Sequence, residues 1–365
     1  MKEIGKGRLG NRRKTETMNR LYAIILAGGA GERFWPLSTP ERPKQFLALF
    51  GGRTLIRQAY ERVAKLVPDE RILVITAKEL VQMTRDELPE LPLENVIGEP
   101  CRRNTAPAVA VALGEVLKRG GEKAVGAILT ADQLMTRPAV FRSLLRKAVC
   151  HAVTSDDIVT LGVRPDRPAT GYGYIETALP AVDGTLLRVV RFKEKPDAAT
   201  ARKYLRSGRF VWNAGMFIWR AETLRRTFAS VAPELEALSE AVRGGSSTVR
   251  TLARRYPELG AISFDYAVME KISNIAVVAG DFGWDDVGSF SSIEKHFPAD
   301  SSGNVVIGDA RLVDAQNVSA VARGVRIALM GVKDLVVVTS GNNVLICSKD
   351  RVQDLRRLKV AEGLA

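Results

Sequence analysis

Histidine is nearly missing from this chain: His151 and His296 are the only two in 365 residues. That scarcity fits a chemistry with little proton transfer through imidazole. Cysteine is also sparse, and Cys101, Cys150 and Cys347 are odd in number and widely spaced. They suggest no disulfide framework, which points to a reducing, cytoplasmic setting. No apolar run reaches the roughly eighteen residues that span a bilayer, so no membrane partner is expected. The Gly-Lys-Ser/Thr of a Walker loop does not occur, and no zinc-finger or RNA-recognition signature accompanies the formal charge of +13. The basic residues are mostly scattered among acids, so the excess is read as suiting a small polyanionic substrate and no nucleic-acid partner is expected.

What is present suits a large globular chain. At 365 residues with 46% hydrophobic content, it is long enough for a nucleotide-binding domain and a smaller second one. Residues 1–20 are read as a disordered basic extension. Lys2, Lys6, Arg8, Arg12, Arg13, Lys14 and Arg20 outnumber Glu3 and Glu16 there, and the segment has no apolar core of a secretory signal. Met18 is a candidate alternative start.

The most informative stretch runs from Leu21 to Phe46. Leu21–Ala27 is a short apolar run, read as a buried strand. Gly28-Gly29-Ala30-Gly31 follows, and glycines let backbone N–H groups approach an anion without a Cβ in the way. Gly29-Ala30-Gly31 begins a dinucleotide fingerprint, but Phe34 stands where its third small residue belongs. Two cations, Arg33 and Lys44, flank a loop containing Trp35-Pro36 and Arg42-Pro43. Strand, glycine turn and cations describe a polyphosphate cradle at the end of a parallel sheet. The glycines alone fit a bare strand-to-loop turn equally well.

Further along, Thr54–Val67 reads as an amphipathic helix, Arg71–Thr76 as a strand and Glu79–Leu88 as a helix. The repeated strand–helix order argues for an α/β domain with a parallel core. Thr105 and Pro107 suit the first turn of an apolar helix from Ala106 to Leu117. Val125–Asp132 is a buried strand ending in a carboxylate, which either faces a ligand crevice or caps the next element. Ala221–Tyr256 is helical in character. After His296, short runs at Val305–Ile307, Val318–Val321, Val325–Leu329, Leu335–Val338 and Val344–Ile346 alternate with Gly, Asn and Asp, the pattern of an all-β module. From Ser348 a capped helix is expected to the end.

GGAGERFWPLS…RPKQF resembles the signature of sugar-1-phosphate nucleotidylyltransferases, and Trp35 with Gln45-Phe46 points to the mannose-1-phosphate guanylyltransferase branch. The resemblance continues in E-P-x-x-R-N-T-A-P-A at Glu99–Ala108, P-x-T-G-Y-G-Y-I-E at Pro168–Glu176, and F-x-E-K-P at Phe192–Pro196. It continues again in W-N-[SA]-G-M-F at Trp212–Phe217, F-D-Y-A-V-M-E-K at Phe264–Lys271, and G-W-x-D-V-G-S at Gly283–Ser289. One departure is Thr130-Ala131-Asp132-Gln133, where the family has P-A-D-H: the acid remains, the Pro and His do not.

The resemblance implies an α/β fold: a Rossmann-like nucleotidyltransferase domain with a mixed, mainly parallel sheet over 21–296. A small C-terminal β domain, similar to a left-handed β-helix and ending in a short helix, would fill 297–365, without the phosphomannose-isomerase extension of bifunctional relatives. The implied reaction joins GTP and mannose 1-phosphate to give GDP-mannose and pyrophosphate. Arg33, Lys44 and Lys195 would be the catalytic cations. Ala27, Gly28, Gly29, Gly31, Arg103, Asn104, Thr105 and Asp132 would bind the nucleotide. Gly171, Tyr172, Gly173, Glu176, Glu194, Lys195, Asn213 and Gly215 would bind the sugar phosphate. Asp132 and Asp286 would hold Mg²⁺, or Mn²⁺ in its place, with Asp285 as an outer neighbour. A homodimer is compatible with the resemblance. Two alternatives stay open: a sister enzyme using another base or sugar, and a catalytically silent nucleotide-sugar sensor.

Overall fold

The structure, a computed structural model, describes residues 17–29, 32–355 and 357–358. Gly31 and residues 1–16 of the expected basic extension lie outside the described residues. Residues 17–20 already form a turn, in which Arg20 N donates to Thr17 O. The chain forms two compact units. One comprises the segment ending at Gly28, Ala59–Ala131 and Met135–Trp284; the other comprises Gly29–Gln58, Asp132–Leu134 and the segment from Asp285 onward.

The first unit is built on a nine-stranded sheet among the described residues. Strands β1 (Leu21–Ala27), β2 (Ile72–Ala77), β3 (Val96–Glu99) and β4 (Val125–Thr130) are parallel, in the order β3-β2-β1-β4. Buried on both faces, such strands read as continuous apolar runs. Their register places Ala27 beside Thr76, Ala77 beside Glu99, and Leu26 beside Thr130. The carboxyl ends therefore share one edge, where α/β sheets bind ligands. A two-residue strand, β5 (Leu134–Met135), follows β4 in the chain.

The rest of the sheet is less parallel than expected. β6 (Ile158–Val163), β7 (Tyr174–Thr177), β8 (Leu186–Lys193), β9 (Phe210–Arg220) and β10 (Ile275–Ala279) complete it. Only β6 and β10 run parallel here; β9 is antiparallel to β4, β6 and β7, and β8 to β7 and β10. The connection from β7 to β8, residues 178–185, is too short for a parallel crossover, so the two strands pair antiparallel.

Helices α1 (Leu55–Ala64), α2 (Val81–Glu87), α3 (Thr105–Gly120), α4 (Pro138–Thr154) and α5 (Ala198–Ser207) alternate with these strands. The expected long helical stretch divides into α6 (Ala221–Val231), α7 (Pro233–Gly244) and α8 (Thr248–Arg255). Every residue of α3 from Ala106 to Leu117 is buried, so its apolar run is core on all sides. No helix among the described residues is long and apolar enough to cross a membrane.

The second unit has its own core. Phe34, Leu37, Leu49 and Phe50 pack in one cluster with Val287, Phe290, Val305 and Val336. This shared core is why the loop after the first glycines groups with the C-terminal segment, although far from it in sequence. β11 (Trp284–Asp285) and α9 (Ser291–His296) precede the β module. There, β12 (Val305–Ile307), β14 (Ser319–Val321) and β16 (Leu335–Ser340) stack in parallel, and β13 (Ala310–Val313) stacks on β15 (Ile327–Met330). Asp314, Asn317 and Asp334 turn corners at φ of 49°, 52° and 55°, a backbone that Asn and Asp tolerate better than most residues. β13 was not expected, because Arg311 interrupts its apolar residues and none of its four positions is fully buried. β17 (Asn343–Ser348) closes antiparallel on β16. Where a capped helix was expected, Lys349–Leu355 forms a 3-10 helix, and residues 359–365 of that expectation lie outside the described residues.

Candidate active site

In the second unit, three distant segments of sequence meet at one ammonium. Lys44, only 6% exposed, places Nζ 3.0 Å from Asp132 Oδ2 and donates to Asp286 O at 2.9 Å and Val287 O at 3.1 Å. An ammonium has three N–H groups, and these acceptors use all three. A Cβ on Gly29 would meet Asp132 Oδ2 at 3.7 Å, so the glycine loop runs beside the same carboxylate. Burial raises the Asp286 carboxyl above its ordinary value; Lys44 and Arg33 oppose this, while Asp132 and Asp285 add to it. The Arg33 guanidinium also donates to Gln353 Oε1 at 3.2 Å, and Gln353 donates to Ser289 Oγ at 2.8 Å.

Asp285 braces this turn. It accepts from Val287 N at 2.7 Å, Ser292 Oγ at 3.0 Å and Lys295 Nζ at 3.4 Å, and lies 3.1 Å from His296 Nε2. Burial penalises its charge, but the His296, Val287, Lys295 and Ser292 contacts outweigh that and hold its pKa well below the usual carboxylate range. The brace supports a strained residue: the buried, β-branched Val287 adopts φ of 50°. Such backbones cost on the order of 1–3 kcal/mol and persist where surroundings impose them.

A second constellation lies in the first unit. Glu194 is 8% exposed, and Lys195 Nζ lies 2.6 Å from its Oε1. Lys195 is another strained residue, at φ of 44°. Burial pulls its ammonium down, but the Glu194 carboxylate, with Asp265 and Tyr266 nearby, outweighs this and raises its pKa. Glu194 N donates to Glu270 Oε1 at 3.0 Å, and Asn213 Nδ2 donates to Asp265 Oδ1 at 2.8 Å. Burial, and then Glu194, push the Asp265 carboxyl up to about 6. Tyr172 packs edge-on against Trp212 at 5.0 Å and Trp284 at 5.2 Å, with the Arg167 guanidinium 5.0 Å above the Trp212 ring.

At the carboxyl edge of the parallel strands, Thr76 Oγ1 donates to Ala27 O at 3.0 Å and fixes the end of β1. Glu99, the last residue of β3, accepts a hydrogen bond from the Tyr256 hydroxyl. Its Oε2 sits 3.2 Å from where a Cβ on Gly28 would be. Burial pushes the Glu99 carboxyl up to about 7 against the opposing Tyr256 bond.

These constellations occupy segments that known proteins share. A nucleotidyl transferase family model matches residues 22–303, and a MannoseP isomerase/GMP-like beta-helix domain model matches residues 303–361. The chain is 36% identical over 345 residues to a mannose-1-phosphate guanylyltransferase from Escherichia coli, covering 92% of this chain and 73% of that protein. The chain belongs to the mannose-1-phosphate guanylyltransferase family. The alginate biosynthesis protein AlgA of Pseudomonas aeruginosa is 36% identical over 344 residues, with 93% and 71% of the two chains covered. A crystal structure from Thermus thermophilus, described as a mannose-1-phosphate geranyltransferase, superposes with a TM-score of 0.85 at 36% identity. That match covers 93% of this chain and 98% of the other.

Within this guanylyltransferase frame, several expected site residues also have structural partners. Lys44 is engaged with three protein acceptors. Glu176 pairs with Arg191 at 3.0 Å and Arg209 at 3.2 Å. Asn213 Oδ1 accepts from Thr160 Oγ1 and Gly215 N, both at 3.1 Å, which fixes its amide. Arg103 donates to Pro257 O at 2.7 Å, Asn104 caps α3 through Thr105 N at 2.9 Å, and Thr105 Oγ1 accepts from Phe264 N at 2.9 Å. The Arg103 and Thr105 bonds tie the 257–264 segment to the start of α3. Gly171 has open space where a Cβ would go, so no close approach requires a glycine there; Gly173 does have such a contact. Sequence reasoning left Asp265, Glu270 and Tyr256 without roles. The first two lay inside the F-D-Y-A-V-M-E-K match, which was the signal available.

Proposed function

We propose that the chain transfers GMP from GTP to mannose 1-phosphate, releasing pyrophosphate and forming GDP-mannose. The observation that carries this reading is the convergence of Asp132, the Asp286–Val287 backbone and the glycine loop around Lys44. A phosphate oxygen of the sugar substrate attacks the α-phosphorus of GTP. The new P–O bond forms as the bond from the α-phosphorus to the bridging oxygen breaks, and the electron pair leaves on pyrophosphate. The nucleophile arrives as an anion, so no side chain need remove a proton, which suits a chain with two histidines. Alignment of two polyanions supplies about 7–11 kcal/mol of barrier reduction in favourable cases. Arg33 stabilises charge on the nucleotide phosphates, and Lys195, held by Glu194, faces the sugar phosphate. Lys44 acts through Asp132, holding that carboxylate and the strained turn in place.

Asp132 and Asp286 suit a divalent metal: two carboxylates crowd one place, and Asp132 adds to the raised pKa of Asp286. Among the described residues no three metal-binding side chains cluster. Mg²⁺ suits such a donor set, because it commonly takes one or two carboxylates plus substrate phosphates and water. When bound, it would neutralise phosphate charge.

The test is pyrophosphate release across GTP, ATP, dTTP and UTP, each with mannose 1-phosphate and glucose 1-phosphate. Turnover concentrated on GTP with mannose 1-phosphate supports the proposal. Turnover centred on dTTP or UTP with glucose 1-phosphate would replace it with a sister activity, and binding without turnover would favour a sensing homologue.

A further inference from the structure

We propose that Gln353, on the 3-10 helix after the β module, is a positioning residue for the transfer reaction: its side-chain amide holds the Arg33 guanidinium toward the nucleotide phosphates. The inference rests on the nucleotidyl-transfer reading above and adds a residue that lies outside every matched motif.

Arg33 and Gln353 are 320 residues apart, and both belong to the second unit. The Gln353 amide is engaged at both ends. Its Oε1 accepts from Arg33 Nη1 at 3.2 Å, and its Nε2 donates to Ser289 Oγ at 2.8 Å. Ser289 is 1% exposed and its hydroxyl lies 2.9 Å from Ser291 Oγ, so it is a fixed anchor. Gln353 itself is exposed, but Val352 and Leu355 are buried in the core cluster that holds Phe34, the neighbour of Arg33. One core therefore sets the backbone beneath both ends of the contact.

Arg33 sits in a single 3-10 turn, Glu32–Phe34. Ordering a long side chain costs entropy, and a partner that holds it beforehand removes that cost from substrate binding. The contact uses one of the five guanidinium N–H groups. Gln353 carries no charge, so it orients the guanidinium without neutralising it. A competing partner is close. A Cβ on Gly288 would lie 3.2 Å from Asp286 Oδ2 and 3.8 Å from Arg33 Nη1, so carboxylate and guanidinium flank one glycine. An unheld Arg33 would turn toward that acid, and a charge-assisted pair there would withdraw it from the phosphates.

The experiment measures kcat and KM with each substrate varied in turn, and thermal melts. The proteins are the unmodified enzyme, Gln353→Leu, Gln353→Glu, Arg33→Ala and the double variant Gln353→Leu/Arg33→Ala. Gln353→Leu should lower kcat/KM for GTP about tenfold, with KM for mannose 1-phosphate and the melting temperature unchanged. Gln353→Glu keeps the size and both contacts, since the Ser289 hydroxyl can donate, but it pairs the guanidinium with a carboxylate. It should lose at least as much as Gln353→Leu; a merely structural glutamine would be rescued by this near-isosteric change. In the Arg33→Ala background, Gln353→Leu should cost nothing further. Where Arg33→Ala activity falls below detection, the same cycle is read in the calorimetric affinity for GTP. Unaltered kcat/KM in Gln353→Leu, unmodified activity in Gln353→Glu, or losses that multiply in the double variant would each overturn the proposal. Should the unmodified chain turn over no substrate pair, the functional reading fails, and GTP binding to the same proteins decides this inference separately. Weaker binding in Gln353→Leu that disappears in the Arg33→Ala background would then support it, and equal binding would refute it.

Discussion

Gly173 makes room for Glu194. A Cβ at position 173 would run into Glu194 Oε2 and lie 3.3 Å from the Asn213 Cβ, so no side chain fits while the carboxylate keeps its place. Glu194 in turn fixes the Lys195 ammonium at 2.6 Å. Gly173→Ala should displace the pair and raise KM for mannose 1-phosphate by about tenfold, the equivalent of about 1.4 kcal/mol, with a smaller change for GTP. Steady-state kinetics with each substrate varied in turn checks this. Equal changes in both would detach the pair from the sugar side.

Lys44→Ala should act on turnover more than on either KM, because its ammonium holds Asp132 and two backbone carbonyls. Leaving buried acceptors unpaired costs about 1–3 kcal/mol, so the melting temperature should also fall by a few degrees. A rise confined to the KM for GTP, with stability and kcat retained, would return Lys44 to direct phosphate binding.

Asp285→Asn should reveal a pH-dependent brace. The folded carboxyl titrates below its ordinary value of about 3.9. Its contribution to stability is therefore fully present above that unfolded value and is lost as pH falls through the lower folded one. The variant should melt lower than the unmodified chain across pH 5–8, and the gap should narrow only below about pH 4. Thermal melts over that range decide it; a gap that closes between pH 7 and 5 would assign the effect to another group.

Glu99→Gln should have the opposite signature. The folded value, about 7, lies above the unfolded value of about 4.3. Stability associated with the neutral form is full below the unfolded value and is lost as pH rises through the folded one. The glutamine variant should match the unmodified chain near pH 4 and melt higher near pH 8. A variant that melts lower at pH 8 would mean the charged carboxylate stabilises the fold.

Much of the frame was legible in the order of residues. β1, β2 and β4 are apolar runs bounded by breakers, and a strand buried on both faces leaves that trace in any chain. The capped start of α3 was legible for a similar reason, since a cap is satisfied within a few residues, as Asn104 and Thr105 show. β13 was not legible, because Arg311 and Val313 lie on an exposed face, where burial imposes no pattern.

The site divides along the same line. Sequence by itself marked the candidate residues, for glycines, a loop cation and strand-end acids are local features with local causes. It could not determine how that charge is spent. Lys44 finds carbonyl acceptors 242 and 243 residues away, and Glu99 is held by a hydroxyl 157 residues on. Folding chooses such partners, because a buried ammonium or carboxyl must take whatever complementary group the tertiary structure brings within hydrogen-bonding distance. Tertiary structure thus made Lys44 an organiser, set Glu176 between two arginines, and set Glu99 beside Gly28.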